Sequence, residues 1–264
     1  MVDFQCDKGN AVENLRKLIA LLRSPEGCPW DKEQSHASIR RNFIEEVYEA
    51  CEAIDTGDVA LLQEELGDVL TQVIFHAQIE EELGNFTLDD VARETCRKLV
   101  SRHPHIFADQ TAKDATEVMS HWEDIKRKEK GQATVTESMQ AIAKSLPATW
   151  RAEKVQAKAA KVGFDFPTLN AALEKLQEEV SETKVALTLS KSELQAELGD
   201  VLFAAINLAR IADIDPETAL NQSTDKFTKR FAYLETQIRN KGQKIESLSL
   251  DEMETIYQES KQEL

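Results

Sequence analysis

Two stretches of this chain spell the same pattern, and that repetition decides the fold. Glu45-Glu46-Val47-Tyr48-Glu49 is followed, after 15 residues, by Glu65-Leu66-Gly67-Asp68-Val69-Leu70. Glu178-Glu179-Val180-Ser181-Glu182 is followed, after 14, by Glu197-Leu198-Gly199-Asp200-Val201-Leu202. Each copy reads EExxE, a spacer, ELGDVL. Recurrence at this length marks a duplicated structural unit. It predicts two tandem domains, 1–130 and 147–264. The stretch 131–146 between them is weakly patterned and reads as a linker.

Working outward, the repeats sit in helical sequence. Leu62, Leu66, Val69 and Val73 recur every three or four positions, as do Leu194, Leu198, Val201 and Ala205. Similar patterning predicts helices near 11–23, 37–55, 88–101, 115–129, 168–188, 216–240 and 251–262. Turn chemistry separates them: SPEGCP, DTGD, LGN, HPH, GFDFP and DIDP. With 9 Gly and 6 Pro in 264 residues and no alternating strand pattern, the fold class is all-α, built as helical bundles.

On a helix, residues three apart share a face, which pairs Glu46 with Glu49 and Glu65 with Asp68. At about 100° per residue, Glu65 borders the Leu62/Leu66/Val69/Val73 stripe and turns toward a helix interface. If the two helices pack antiparallel, four carboxylates converge, and a divalent cation relieves their repulsion. The second copy, Glu179, Glu182, Glu197 and Asp200, repeats every acid. All five histidines, His36, His76, His103, His105 and His121, precede it. A ligand set complete without His or Cys is hard and all-oxygen, which favours Mg²⁺, with Mn²⁺ as an alternative. A single ExxE in a chain 30% charged would be a solvated face; the ordered duplication argues otherwise. Mid-helix Gly67 and Gly199 suggest close packing at the same places.

Acid-bound Mg²⁺ most often serves phosphate chemistry. Basic pairs four apart follow each repeat: Lys98 and Arg102 after the first, Lys226 and Arg230 after the second. The chain carries 48 Asp+Glu against 32 Lys+Arg, a formal net charge of −16. That balance argues against nucleic acid or an anionic membrane as partner. Ten of the 48 acids lie in the two motifs, so the charge is in part that of metal-free ligand sets. Cys6, Cys28, Cys51 and Cys96 lack metal-ligand spacing and read as reduced thiols. The N-terminus lacks the pattern of a secretory leader and no apolar run approaches a membrane span, so the expected location is cytoplasmic.

With these residues in view, the chain resembles the MazG nucleoside triphosphate pyrophosphohydrolases in their two-domain form. Flanking stretches carry the resemblance too: CPWDKEQ at 28–34, SRHPHIFAD at 101–109, SLPATWRAEKVQAKAAKVGFDF at 145–166 and NLAR at 207–210. The resemblance implies Mg²⁺-dependent hydrolysis of nucleoside triphosphates to monophosphate and pyrophosphate by a homodimer. It implies metal ligation by Glu46, Glu49, Glu65 and Asp68, and by Glu179, Glu182, Glu197 and Asp200. Glu45 and Glu178 become the acids that orient or deprotonate water. Lys226 and Arg230 become the phosphate-binding pair, and Tyr257 takes the base-contacting position, with Trp122 its first-half counterpart. Lys175, one turn before Glu179, could reach a phosphate where the first half has Asn42; Asn207 stands where the first half has Phe75. Both contrasts favour the second half as the nucleotide site. Glu193 occupies a substrate-facing place where the family pattern leads one to expect Lys. Two other functions fit the same acids: a nucleotide-sensing regulatory module without turnover, and an alarmone phosphohydrolase.

Overall fold

The structure is a computed structural model and describes residues 9–108 and 111–263. Among these residues every regular element is a helix. None is long and apolar enough to cross a membrane. The chain divides into two compact units, 1–126 and 127–264.

In the first unit, α1 (Ala11–Arg23) leads through the short α2 (Pro29–Glu33) to α3 (His36–Thr56), α4 (Val59–Glu82), α5 (Leu88–Arg102) and α6 (Pro104–Phe107). Local chemistry marks the ends. Ser35 and Ser38 form a reciprocal cap at the start of α3. Gly57, with φ of 69°, closes α3 in the left-handed region. Asp58 then accepts from the N–H groups of Ala60 and Leu61 to open α4. Two residues between the helices force an antiparallel hairpin, so His36 meets His76 and Glu80 while the mid-helix acids face each other. The core joins Ile19, Ile39, Ile74, Phe75 and Ile79. Arg23 is buried beside it. Its guanidinium forks onto Glu82 at 2.8 and 2.9 Å, donates to the carbonyls of Asp31 and Gln34, and lies over the Phe75 ring. It thereby fastens the CPWDKEQ loop to α4.

α7 (Ala115–Glu129) spans the division between the units. The second unit comprises α8 (Val135–Gln140), α9 (Ala148–Ala160), α10 (Leu169–Ala186), α11 (Lys191–Ile211), α12 (Pro216–Asn240) and α13 (Leu250–Glu263). α10 and α11 pair as α3 and α4 do, and α9 packs on α11 through Gln156, which donates to the Phe203 carbonyl. A separate apolar cluster of Leu234, Ile238 and Ile256 joins α12 to α13.

The periodic segments agree with the observed helices to within a few residues. The short α2, α6 and α8 fall where turns or a linker were expected, and α9 is an additional helix. α8 owes its existence to a Thr134/Glu137 capping box inside the weakly patterned stretch. Leu66, on the apolar stripe that Glu65 borders, is 54% exposed, because α4 turns Ile74, Phe75 and Ala77 inward and leaves a second apolar face outside. One finer expectation fails. A Cβ on Gly67 or Gly199 would meet open space, so no close approach within either unit requires these glycines. Cys28, Cys51 and Cys96 are free thiols; Cys6 lies outside the described residues.

Arg23→Ala should destabilise the protein by on the order of 3 kcal/mol, because Glu82 and two carbonyls lose their partner. Urea denaturation followed by circular dichroism measures it.

Candidate metal centres

The α3/α4 hairpin brings Glu46 and Glu49 from one helix against Glu65 from the other, with one oxygen of each within 4.8 Å of the rest. Glu65 is 8% exposed, and its Oε2 is buried without a hydrogen-bond partner. Burial, then the neighbouring Asp68, Glu49 and Glu65, pushes the Glu46 carboxyl above the ordinary carboxylate range. Glu65 is raised too, by burial first and then by Glu49, Asp68 and Glu64. Asp68 thus stands outside the tightest group but close enough to repel it.

In the α10/α11 hairpin the tight group is Glu179, Glu197 and Asp200. Glu179 is as buried as Glu65. Glu182 sits at the edge, raised by burial and by Glu179, and relieved in part by Lys175. The Lys175 ammonium lies 2.8 Å from both Glu178 Oε1 and Glu179 Oε1. Those two hydrogen bonds push its pKa above the ordinary lysine range. Lys175 is therefore a cation already seated among the acids, whereas Asn42, one turn before Glu46, is uncharged.

An orphaned carboxylate oxygen, clustered acids with raised affinity for protons and an all-oxygen donor set fit a hard divalent cation at the first group. The second group offers the same donor set.

The remaining site residues are more dispersed. Glu45 is exposed and paired with Arg41. Lys98 is exposed on α5, and Arg102 lies over the Trp122 ring, which meets His103 edge-on. Lys226 and Arg230 line a shallow groove on α12 with Gln222, Asp225 and Lys229. Tyr257, half-buried on α13, contacts the Phe227 ring. Glu193 is held elsewhere: its Oε2 accepts from Ser190 N–H and Oγ at 2.9 and 2.6 Å, capping α11, and these bonds lower its pKa. Asn207 accepts two hydrogen bonds from Arg210, which also reaches Asp165. Neither Arg210 nor Asp165 was singled out by spacing, although both lie in the NLAR and GFDF stretches.

Two helical hairpins, each converging three carboxylates, offer two groups that could hold a metal ion. The model of the MazG nucleotide pyrophosphohydrolase domain matches residues 34–107 and 168–233. The chain is 39% identical over 258 residues to the nucleoside triphosphate pyrophosphohydrolase of Escherichia coli strain K12, covering 96% of this chain and 98% of that one. It is 41% identical over 255 residues to the nucleoside triphosphate pyrophosphohydrolase/pyrophosphatase MazG of Thermotoga maritima, covering 97% of each. The chain belongs to the MazG family and is a nucleoside triphosphate pyrophosphohydrolase.

A carboxyl raised by folding binds protons more tightly than in the unfolded chain, so stability falls as pH rises from the ordinary carboxylate range through the raised value. In metal-free protein, Glu65→Gln should therefore raise the melting temperature at pH 7, with the gain shrinking towards pH 4. Added Mg²⁺ should reverse the order by stabilising the wild type more than the variant, which keeps only the second acidic group. Thermal melts at both pH values, with and without the cation, check this.

Proposed function

We propose that the protein hydrolyses nucleoside triphosphates, ribo or deoxy, to nucleoside monophosphate and pyrophosphate with Mg²⁺, or Mn²⁺ in its place, and so clears unwanted nucleotides in the cytoplasm. The observation that carries this is the convergence of Glu179, Glu197 and Asp200 in a member of the MazG family. When bound, the cation would neutralise phosphate oxygens and lower the pKa of the attacking water.

In this reading the chain's own residues do the rest. Glu179, Glu182, Glu197 and Asp200 hold the cation. Glu178, beside them, orients the water and accepts its proton. Water oxygen bonds to phosphorus as the oxygen bridging the α and β phosphates leaves with the pyrophosphate or monophosphate. Lys175 is the resident counter-ion of Glu178 and Glu179 and would offer its ammonium to a phosphate oxygen. Lys226 and Arg230 grip the phosphates, Arg230 by parallel hydrogen bonds and Lys226 as a point charge. Tyr257 offers its ring to the base. In the first domain, Glu46, Glu49, Glu65 and Asp68 with Glu45, Lys98, Arg102 and Trp122 form the matching set. There the absence of a Lys175 equivalent leaves a weaker site that mainly steadies the fold.

The assembly proposed is a homodimer. Leu66 on α4 and Leu198, Leu202 and Phe203 on α11 are exposed apolar side chains beside the acids, and a second copy would cover them.

Glu179→Ala and Asp200→Ala should each abolish pyrophosphate release, while Glu46→Ala should cost far less. A panel of NTPs and dNTPs with product chromatography, run with Mg²⁺ and with EDTA, tests this. Equal losses in the two halves would remove the asymmetry, and absence of both monophosphate and pyrophosphate would refute the activity.

A further inference from the structure

Asn207 lies seven residues beyond Asp200 on α11, two turns along the same face and about 10 Å away. Its carboxamide is not free to turn. Arg210 donates to Asn207 Oδ1 from Nε at 3.0 Å and from Nη2 at 2.8 Å. A guanidinium has only donors, so the amide oxygen faces Arg210 and the amide nitrogen faces away. Arg210 is itself held: Nη2 donates to Asp165 Oδ1 at 2.5 Å, with the two side chains 14% and 28% exposed. Asp165 Oδ1 also accepts from the Phe166 N–H at 2.9 Å, which anchors it in the GFDF turn leading to α10. One guanidinium thus connects the turn before one ligand-bearing helix to the other ligand-bearing helix. In the first unit the corresponding positions, counted from Asp68, are Phe75 and Gln78. Phe75 is buried in the core, and Gln78 donates to Glu82. The clamp belongs to the second half.

We propose that Arg210 is a positioning residue that fixes the polarity of Asn207, so that Asn207 presents its Nδ2 N–H donors to a hydrogen-bond acceptor on the nucleoside part of the triphosphate. Two helical turns separate this amide from the acids that would hold the phosphate-neutralising cation, which puts it at the sugar or base end. The inference rests on the second unit being the nucleotide site, and it makes nucleoside discrimination a property of that unit.

The test compares steady-state kinetics on the best nucleoside triphosphate with inhibition by inorganic tripolyphosphate, which lacks a nucleoside. Asn207→Ala and Arg210→Gln should each raise KM about tenfold, the worth of one good hydrogen bond, with little change in kcat or in the tripolyphosphate Ki. The double variant should be no worse than Asn207→Ala, because Arg210 acts through Asn207. Arg210→Lys, with a point charge in place of the fork, should fall between wild type and Arg210→Gln. An unchanged KM in Arg210→Gln overturns the proposal. So do multiplied losses in the double variant, or a tripolyphosphate Ki weakened as much as KM. If Arg210→Gln does not fold, Asn207→Asp decides. It keeps an oxygen for Arg210 and replaces the donors by an acceptor, so it must raise KM more than Asn207→Ala, and an equal or smaller effect overturns the proposal. Wild-type protein without triphosphate turnover, or Glu179→Ala with full turnover, strikes the site reading and takes this inference with it. Neither result resembles the outcomes above.

Discussion

Everything in this protein is arranged around one electrostatic problem: three carboxylates held within 4.8 Å of one another between paired helices, twice in one chain. Like charges at that separation favour protonation or disruption of the hairpin. The hairpins accept the strain because neighbouring apolar packing holds them. In the first unit Ile39, Ile74 and Phe75 lock α3 to α4, so the acids stay together and their affinity for protons rises.

The two units answer the same problem differently. In the second, Lys175 reaches both Glu178 and Glu179 and supplies positive charge from within the hairpin. In the first, burial and then the neighbouring acids raise the carboxyls of Glu46 and Glu65, and Asn42 stands in place of such a lysine. A duplicated scaffold has thus diverged at the residue one turn before the ligands. Small changes at that place alter what the acids can exchange for a cation or a phosphate. The difference recurs farther along α11, where Asn207 and Arg210 replace the buried Phe75 and the Glu82-bound Gln78 of α4.

Helices α4 and α11 carry more apolar surface than one hairpin uses. Ile74, Phe75 and Ala77 face the core of the first unit, while Leu66 lies outside it, as do Leu198 and Leu202 in the second. A helix apolar on two faces has two partners to satisfy. Periodicity therefore shows that Leu66 lies on an apolar stripe but not which partner covers it. The same limit explains Gly67 and Gly199, whose environment is open within each unit.

The amino-acid sequence by itself determined the duplication, the helical class, the main helix positions and the pairing of acids three apart, because these follow from spacing along one helix. Its turn and capping residues also contain the short α8, as the Thr134/Glu137 box shows. Only the tertiary structure decided which acids share a tight group. Asp68 stands at the edge of one and Glu182 at the edge of the other, although both have the same helical phase as members inside. The Ser190/Glu193 cap, Lys175 with Glu178 and Glu179, and Asn207 with Arg210 are contacts three or four residues apart and lay within reach of spacing; tertiary structure alone joined Arg210 to Asp165. Such choices depend on distances between helices and on competition among nearby partners, and a spacing along one chain fixes neither.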